Sequence, residues 1–130
     1  MPKPFIILID DDKPLINSLI LQIKSLIHNN YTIEATQTIP EARNLIRQLI
    51  ENQQPIHLII ADWLLSGTER INDLLVEIHS QLPEVPIIIL SGFADTTVIN
   101  DLSQRAGINY FIQKPYEETD LVEKINKLLK

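Results

Sequence analysis

The feature that most constrains this 130-residue chain is an alternation of two hydrophobic rhythms. Short apolar runs rich in β-branched residues stand at Phe5–Ile9, Tyr31–Ala35, His57–Ala61, Pro86–Leu90 and Tyr110–Ile112, the second being the weakest. Continuous runs of this kind suit strands buried on both faces. Between and after them, apolar residues recur every three or four positions. Leu15, Ile16, Leu19, Ile20, Ile23, Leu26 and Ile27 form one helical face, and Ala42, Leu45, Ile46, Leu49 and Ile50 a second. Leu74, Leu75, Ile78 and Leu82 form a third, Val98, Ile99, Leu102 and Ala106 a fourth, and Leu121, Val122, Ile125, Leu128 and Leu129 a fifth. Thr38 with Glu41 reads as a capping box, Asp12 as a cap followed by Pro14, and Asp95 as a cap for the fourth helix. Asn29-Asn30, Pro55, Pro83 and Gly107 punctuate the joins. Five strand–helix units in strict alternation predict an α/β fold: a doubly wound, five-stranded parallel sheet with helices on both faces. Residues 1–130 read as a single domain.

Composition narrows the function classes. The chain is 45% hydrophobic but only 5% aromatic, so Ile, Leu and Val must supply its core. It has no cysteine, which excludes disulfides and thiolate metal sites and fits a reducing compartment. A formal net charge of −6 offers neither a basic footprint for nucleic acid nor a polybasic membrane patch. The apolar run at Phe5–Ile9 stops at three aspartates, too short for a signal-peptide core or a membrane span. The expectation is a cytoplasmic protein with no direct nucleic-acid or membrane partner.

In a doubly wound sheet, ligands bind beyond the carboxyl ends of the strands at the switch in strand order. The first strand ends in Asp10-Asp11-Asp12, the third in Asp62, the fourth in Ser91-Gly92 and the fifth in Lys114-Pro115. The second ends in Thr36-Gln37, which offers nothing comparable. Clustered carboxylates raise one another's pKa unless a cation joins them. Oxygen donors without His or Cys favour a hard ion, Mg²⁺ or Ca²⁺. A lysine and a hydroxyl opposite such an ion suit a phosphoryl group. His28, His57 and His79 are scattered, without partners at ligand spacing, and read as structural.

Four segments carry a resemblance: Ile7-Leu8-Ile9-Asp10-Asp11-Asp12, Leu58-Ile59-Ile60-Ala61-Asp62, Ile87-Ile88-Ile89-Leu90-Ser91-Gly92 and Phe111-Ile112-Gln113-Lys114-Pro115. In this order, each at a strand end, they resemble the receiver domains of two-component response regulators over essentially the whole chain, and the stand-alone chemotaxis-type regulators among them. The resemblance implies a flavodoxin-like (βα)₅ topology with strand order 2-1-3-4-5. It implies Asp62 as phosphoacceptor, with Mg²⁺ held by Asp10, Asp11, Asp62 and the backbone carbonyl of Leu64. It implies Ser91 as the switch hydroxyl, Lys114 as the partner of the acyl phosphate, and Phe111 as a switch aromatic without a hydroxyl. It also implies Pro115 following a cis peptide bond. Sensor histidine kinases or phosphotransfer proteins would donate the phosphoryl group, and a downstream protein of unknown identity would read it. Such a domain catalyses only its own phosphorylation and dephosphorylation and is not otherwise an enzyme. The sequence departs from the family at Ser66, where proline is common, and at Arg70, where glycine is common.

Two expectations concern residues beside these. Leu64 and Phe93, both apolar, should flank the path of attacking water and slow the loss of phosphate. Trp63, the single tryptophan, should report on the site through its emission. Two rival readings remain: a pseudo-receiver that binds partners without phosphorylation, and a Mg²⁺-dependent phosphohydrolase. The second would usually carry an acid two residues after the nucleophile, where this chain has Leu64.

Overall fold

The computed structural model describes residues 3–27, 30–63, 71–92, 96–114 and 116–129, with the backbone alone at 96–99, 102 and 118. Strands and helices alternate as the apolar rhythm predicts. They run β1 (Phe5–Ile9), α1 (Lys13–Ile27), β2 (Thr32–Thr36), α2 (Ile39–Glu51), β3 (Ile56–Asp62), α3 (Ile71–Gln81), β4 (Ile87–Ser91), α4 (Thr96–Ala106), β5 (Tyr110–Gln113) and α5 (Glu118–Leu129). All pairings are parallel, and the sheet order is β2-β1-β3-β4-β5.

The two-residue strand period divides the apolar residues between two cores. Ile7, Ile9, Ile59, Ala61, Ile87 and Ile89 face α2, α3 and Ala106 of α4. Ile6, Leu8, Leu58, Ile60, Ile88, Leu90 and Ile112 face α1 and α5. Both faces of β1, β3 and β4 are therefore dry, which is why their sequences do not alternate with polar residues. Each fully buried Ile or Leu contributes roughly 1.5–3 kcal/mol of burial free energy. Edge strand β2 is different. Glu34 and Ala35 are exposed in its middle, and the strand is one residue later than its hydrophobicity suggests, ending on buried Thr36. A charge in the middle of a solvent-facing edge discourages pairing with another chain.

Helix ends follow local chemistry with one variation. The Thr38 hydroxyl accepts from the Glu41 N–H at 3.2 Å, capping α2 as expected. The Glu41 carboxylate, however, accepts from the N–H of Gln37 at 3.3 Å and so reaches one residue beyond the expected capping box. Asp12 accepts from the Leu15 N–H at 3.2 Å and caps α1. The proposed cap Asp95 lies outside the described residues, as do the side chains of Val98, Ile99 and Leu102 on the fourth helical face. Among the described residues no helix is long and apolar enough to cross a membrane.

Candidate phosphoryl and cation site

Chain order and sheet order diverge at β1. The chain leaves β1 for β2 on one side and returns to β3 on the other. The loops after β1 and β3 therefore part company, opening a crevice at the carboxyl ends of the strands. Register aligns those ends. Ile9 lies beside Ala61, Asp62 beside Leu90, and Ser91 beside Gln113. Asp10 directly follows β1, Asp62 is the last residue of β3, Ser91 the last of β4, and Lys114 directly follows β5. Backbone hydrogen bonds bind these ends together. The Asp10 N–H donates to the Thr36 carbonyl at 3.0 Å, Trp63 to Leu90 at 2.9 Å, and Lys114 to Ser91 at 2.6 Å.

Asp10, Asp11 and Asp62 bring carboxylate oxygens within 4.8 Å of one another, with Asp10 and Asp62 buried and Asp11 exposed. The Lys114 ammonium reaches into this group, 3.4 Å from Asp62 Oδ1 and 3.7 Å from Asp10 Oδ2. Asp10 Oδ1 accepts from the Asp12 N–H at 2.9 Å. Asp10 Oδ2 is buried and has no hydrogen-bond partner among the described residues. Burial pushes the Asp10 carboxyl above its ordinary range, and Asp62 and Asp11 push it further. The Asp12 amide and Lys114 pull the other way. Repulsion between acids is thus present, as the sequence suggests, but loss of water matters more at Asp10. A buried carboxylate oxygen without a donor, beside two further carboxylates, is the setting a hard cation suits. The residues present fit Mg²⁺.

Ser91 is fully buried at the head of β4. Phe111 is half-buried and its ring meets that of Trp63 edge-on, with centroids 5.9 Å apart and planes at 64°. Both pack against the core under α2 and α3. Trp63 is therefore a partly buried member of that core, joined to the strand end that bears Asp62. Leu64, Phe93 and Pro115, together with Ser66 and Arg70, lie outside the described residues. The structure also gives weight to Thr36, which the sequence did not distinguish. Its carbonyl holds Asp10, while its buried hydroxyl lies 3.4 Å from the Leu8 carbonyl. Of the histidines, His57 meets Tyr31 edge-on at 5.8 Å, a packing role. His28 lies outside the described residues.

Comparison with known proteins identifies the family and the fold. The family model of the response regulator receiver domain matches residues 6–126. Chemotaxis protein CheY-3 of Vibrio cholerae is 32% identical over 72 residues, covering 54% of this chain and 54% of that protein. The hydrogenase transcriptional regulatory protein HoxA of Cupriavidus necator is 24% identical over 105 residues, covering 81% of this chain but 20% of that protein. The matches thus span from a fifth to about half of these relatives. The non-phosphorylated HemR receiver domain of Leptospira biflexa superposes with a TM-score of 0.80 at 25% identity, covering 98% of this chain and 95% of the other. A CheY-like receiver domain of Methanospirillum hungatei gives 0.74 at 28% identity, with 96% and 93% covered.

Proposed function

The chain belongs to the response regulator receiver domain family, and from that premise we propose that it is a phosphoacceptor switch in which Asp62 takes a phosphoryl group with the help of Mg²⁺. The observation that carries this reading is that carboxylate oxygens of Asp10, Asp11 and Asp62 lie within 4.8 Å of one another, with Lys114 entering the same group. Asp10, Asp11 and Asp62 would hold the ion, with the Leu64 carbonyl as the family resemblance suggests. Bound there, Mg²⁺ supplies the positive charge that lets a polyanionic phosphoryl group approach three carboxylates.

The chain's own groups do the rest. The Asp62 carboxylate is the nucleophile and ends as an acyl phosphate. Lys114 exchanges a carboxylate partner for a phosphoryl oxygen, which it can reach because its ammonium already lies 3.4 Å from Asp62. The Ser91 hydroxyl donates to a second phosphoryl oxygen. Apolar Leu64 and Phe93 would exclude the hydrolytic water and lengthen the life of the phosphorylated state. The donor would be the phosphohistidine of a sensor kinase or phosphotransfer protein in the cytoplasm, and a downstream protein would read the altered surface. The chain would turn over no other substrate.

The test is labelling by acetyl phosphate. A mass increase of one phosphoryl group is expected with Mg²⁺ and not with a chelator. Asp62→Asn should remove it, and Asp11→Asn should reduce it severely. Undiminished labelling of Asp62→Asn would reject the nucleophile. Failure of the wild-type protein to label would favour a pseudo-receiver, and turnover of a phosphate ester a hydrolase.

A further inference from the structure

The three aspartates that follow β1 differ in what they do. Asp10 and Asp11 belong to the carboxylate group that includes Asp62, while Asp12 does not. Asp12 is exposed, and two of its oxygens serve α1: Oδ1 accepts from the Leu15 N–H at 3.2 Å and the carbonyl from the Ile16 N–H at 3.0 Å. Those are the marks of an N-cap, with Pro14 preset in the first turn. The third polar group of the same residue, its N–H, points the other way and donates to Asp10 Oδ1 at 2.9 Å.

That last bond has a consequence for the site. An aspartate carboxylate turns about a soft two-fold torsion, so burial alone does not dictate which oxygen faces where. At Asp10 one oxygen is held by the Asp12 amide. The other, Oδ2, is thereby presented toward Lys114 without a hydrogen-bond donor of its own among the described residues. The Asp12 N–H lies in the peptide plane joining residues 11 and 12, and the cap anchors the residue 12 side of that plane to α1.

We propose that Asp12 is a positioning residue for the cation site: by capping α1 it fixes the amide that holds Asp10 Oδ1 and leaves Oδ2 facing Lys114. The inference rests on the Mg²⁺ reading above. Its rival is that Asp12 helps only as one more negative charge near a cation.

Four variants separate cap from charge. Asp12→Asn and Asp12→Ser keep a good cap and lose the charge, Asp12→Glu keeps the charge and loses the cap, and Asp12→Ala loses both. Binding of Mg²⁺ alone is measured by calorimetry on the full chain at fixed ionic strength. Thermal unfolding without Mg²⁺ verifies that each variant is folded. Asn and Ser should stay within about twofold of wild type. Glu and Ala should bind about tenfold more weakly, the scale on which outer partners of metal ligands act. In an Asp10→Asn background, Asp12→Ala should cause no further loss, because the group it acts through is gone.

Affinity that follows charge, with Glu normal and Asn and Ser weakened, overturns the proposal. So does equal affinity in all four variants, equal weakening in all four, or an undiminished effect of Asp12→Ala in the Asp10→Asn background. A wild-type protein that binds no Mg²⁺ overturns the metal reading and this inference together, whereas a binding wild type with flat variants overturns this inference alone.

Discussion

At the scale of single residues, Asp10 carries the conflict between folding and site chemistry. Its carboxyl is buried and its pKa is raised above the ordinary value. A carboxyl whose folded pKa exceeds its unfolded one binds its proton more tightly when folded. The stabilisation is complete below the unfolded pKa and is lost as pH rises through the folded value. At neutral pH the ionised Asp10 therefore costs stability, and only a cation can return it. Asp10→Asn should raise the thermal midpoint at pH 7 in the absence of Mg²⁺, by roughly 3–6 °C if the gain is about 1 kcal/mol. The gain should shrink toward pH 4, and the variant should lose most of the Mg²⁺-induced shift. A lowered midpoint at pH 7, measured by calorimetry across this range, would show that the Asp12 amide and Lys114 fully compensate the burial. Trp63 and Phe111 make a second pair to read at this scale. Their edge-to-face contact joins the residue after Asp62 to β5.

At the scale of elements, the ends of the helices matter more than their middles. Each helix is amphipathic and would find its face of the sheet by apolar burial alone. Where it stops is decided locally. Gly107 follows α4 with φ of +64° and donates to the Ser103 carbonyl at 3.1 Å. A Cβ built there would lie 2.5 Å from His79 Cε1, at the end of α3. Gly107→Ala should therefore cost more than the ~1 kcal/mol of unfavourable backbone alone. Urea unfolding should show a loss on the order of 2–3 kcal/mol. Adding His79→Ala should recover the clash but not the backbone strain. If the double variant is as unstable as the single, contact with His79 is not what the glycine serves. The variation at α2 has the same local character. Glu41 reaches Gln37 rather than Thr38, and the residues of a capping box are legible in sequence while the choice between neighbouring amides is not.

For the whole molecule, parallel topology brings the acids after β1 and at the end of β3 to one rim, beside Ser91 and Lys114. Mg²⁺ bound there should stabilise the fold by mass action, by about 2.7 kcal/mol at a hundredfold excess over its dissociation constant. The thermal midpoint should rise with the logarithm of Mg²⁺ concentration. Asp11→Asn and Asp62→Asn should flatten that dependence. Sodium chloride at equal ionic strength should not reproduce it. An equal response to sodium would mean that the ion only screens the net charge of −6.

Much of this was determined by the sequence alone. Alternating apolar rhythms specify a parallel doubly wound sheet because burial on two faces and burial on one stripe leave different periods. Acidic, hydroxyl and ammonium side chains at four strand ends mark the site because ligands gather where such strands terminate. Strand bounds shift by at most one residue, as at Tyr31 and Thr36, because burial of an edge residue depends on neighbours far away in the chain. Tertiary structure decided three further things. Thr36, unremarkable in sequence, holds Asp10 because β2 lies beside β1 in register. Trp63 and Phe111 meet although 48 positions separate them, because β4 brings β3 and β5 to a common face. Asp12 caps the helix and also meets Asp10, because one residue presents its carboxylate to the helix and its amide to the strand end. Periodicity is a property of neighbours along the chain, whereas the direction of an N–H or a carboxylate oxygen is settled only when the packed elements leave it a single partner.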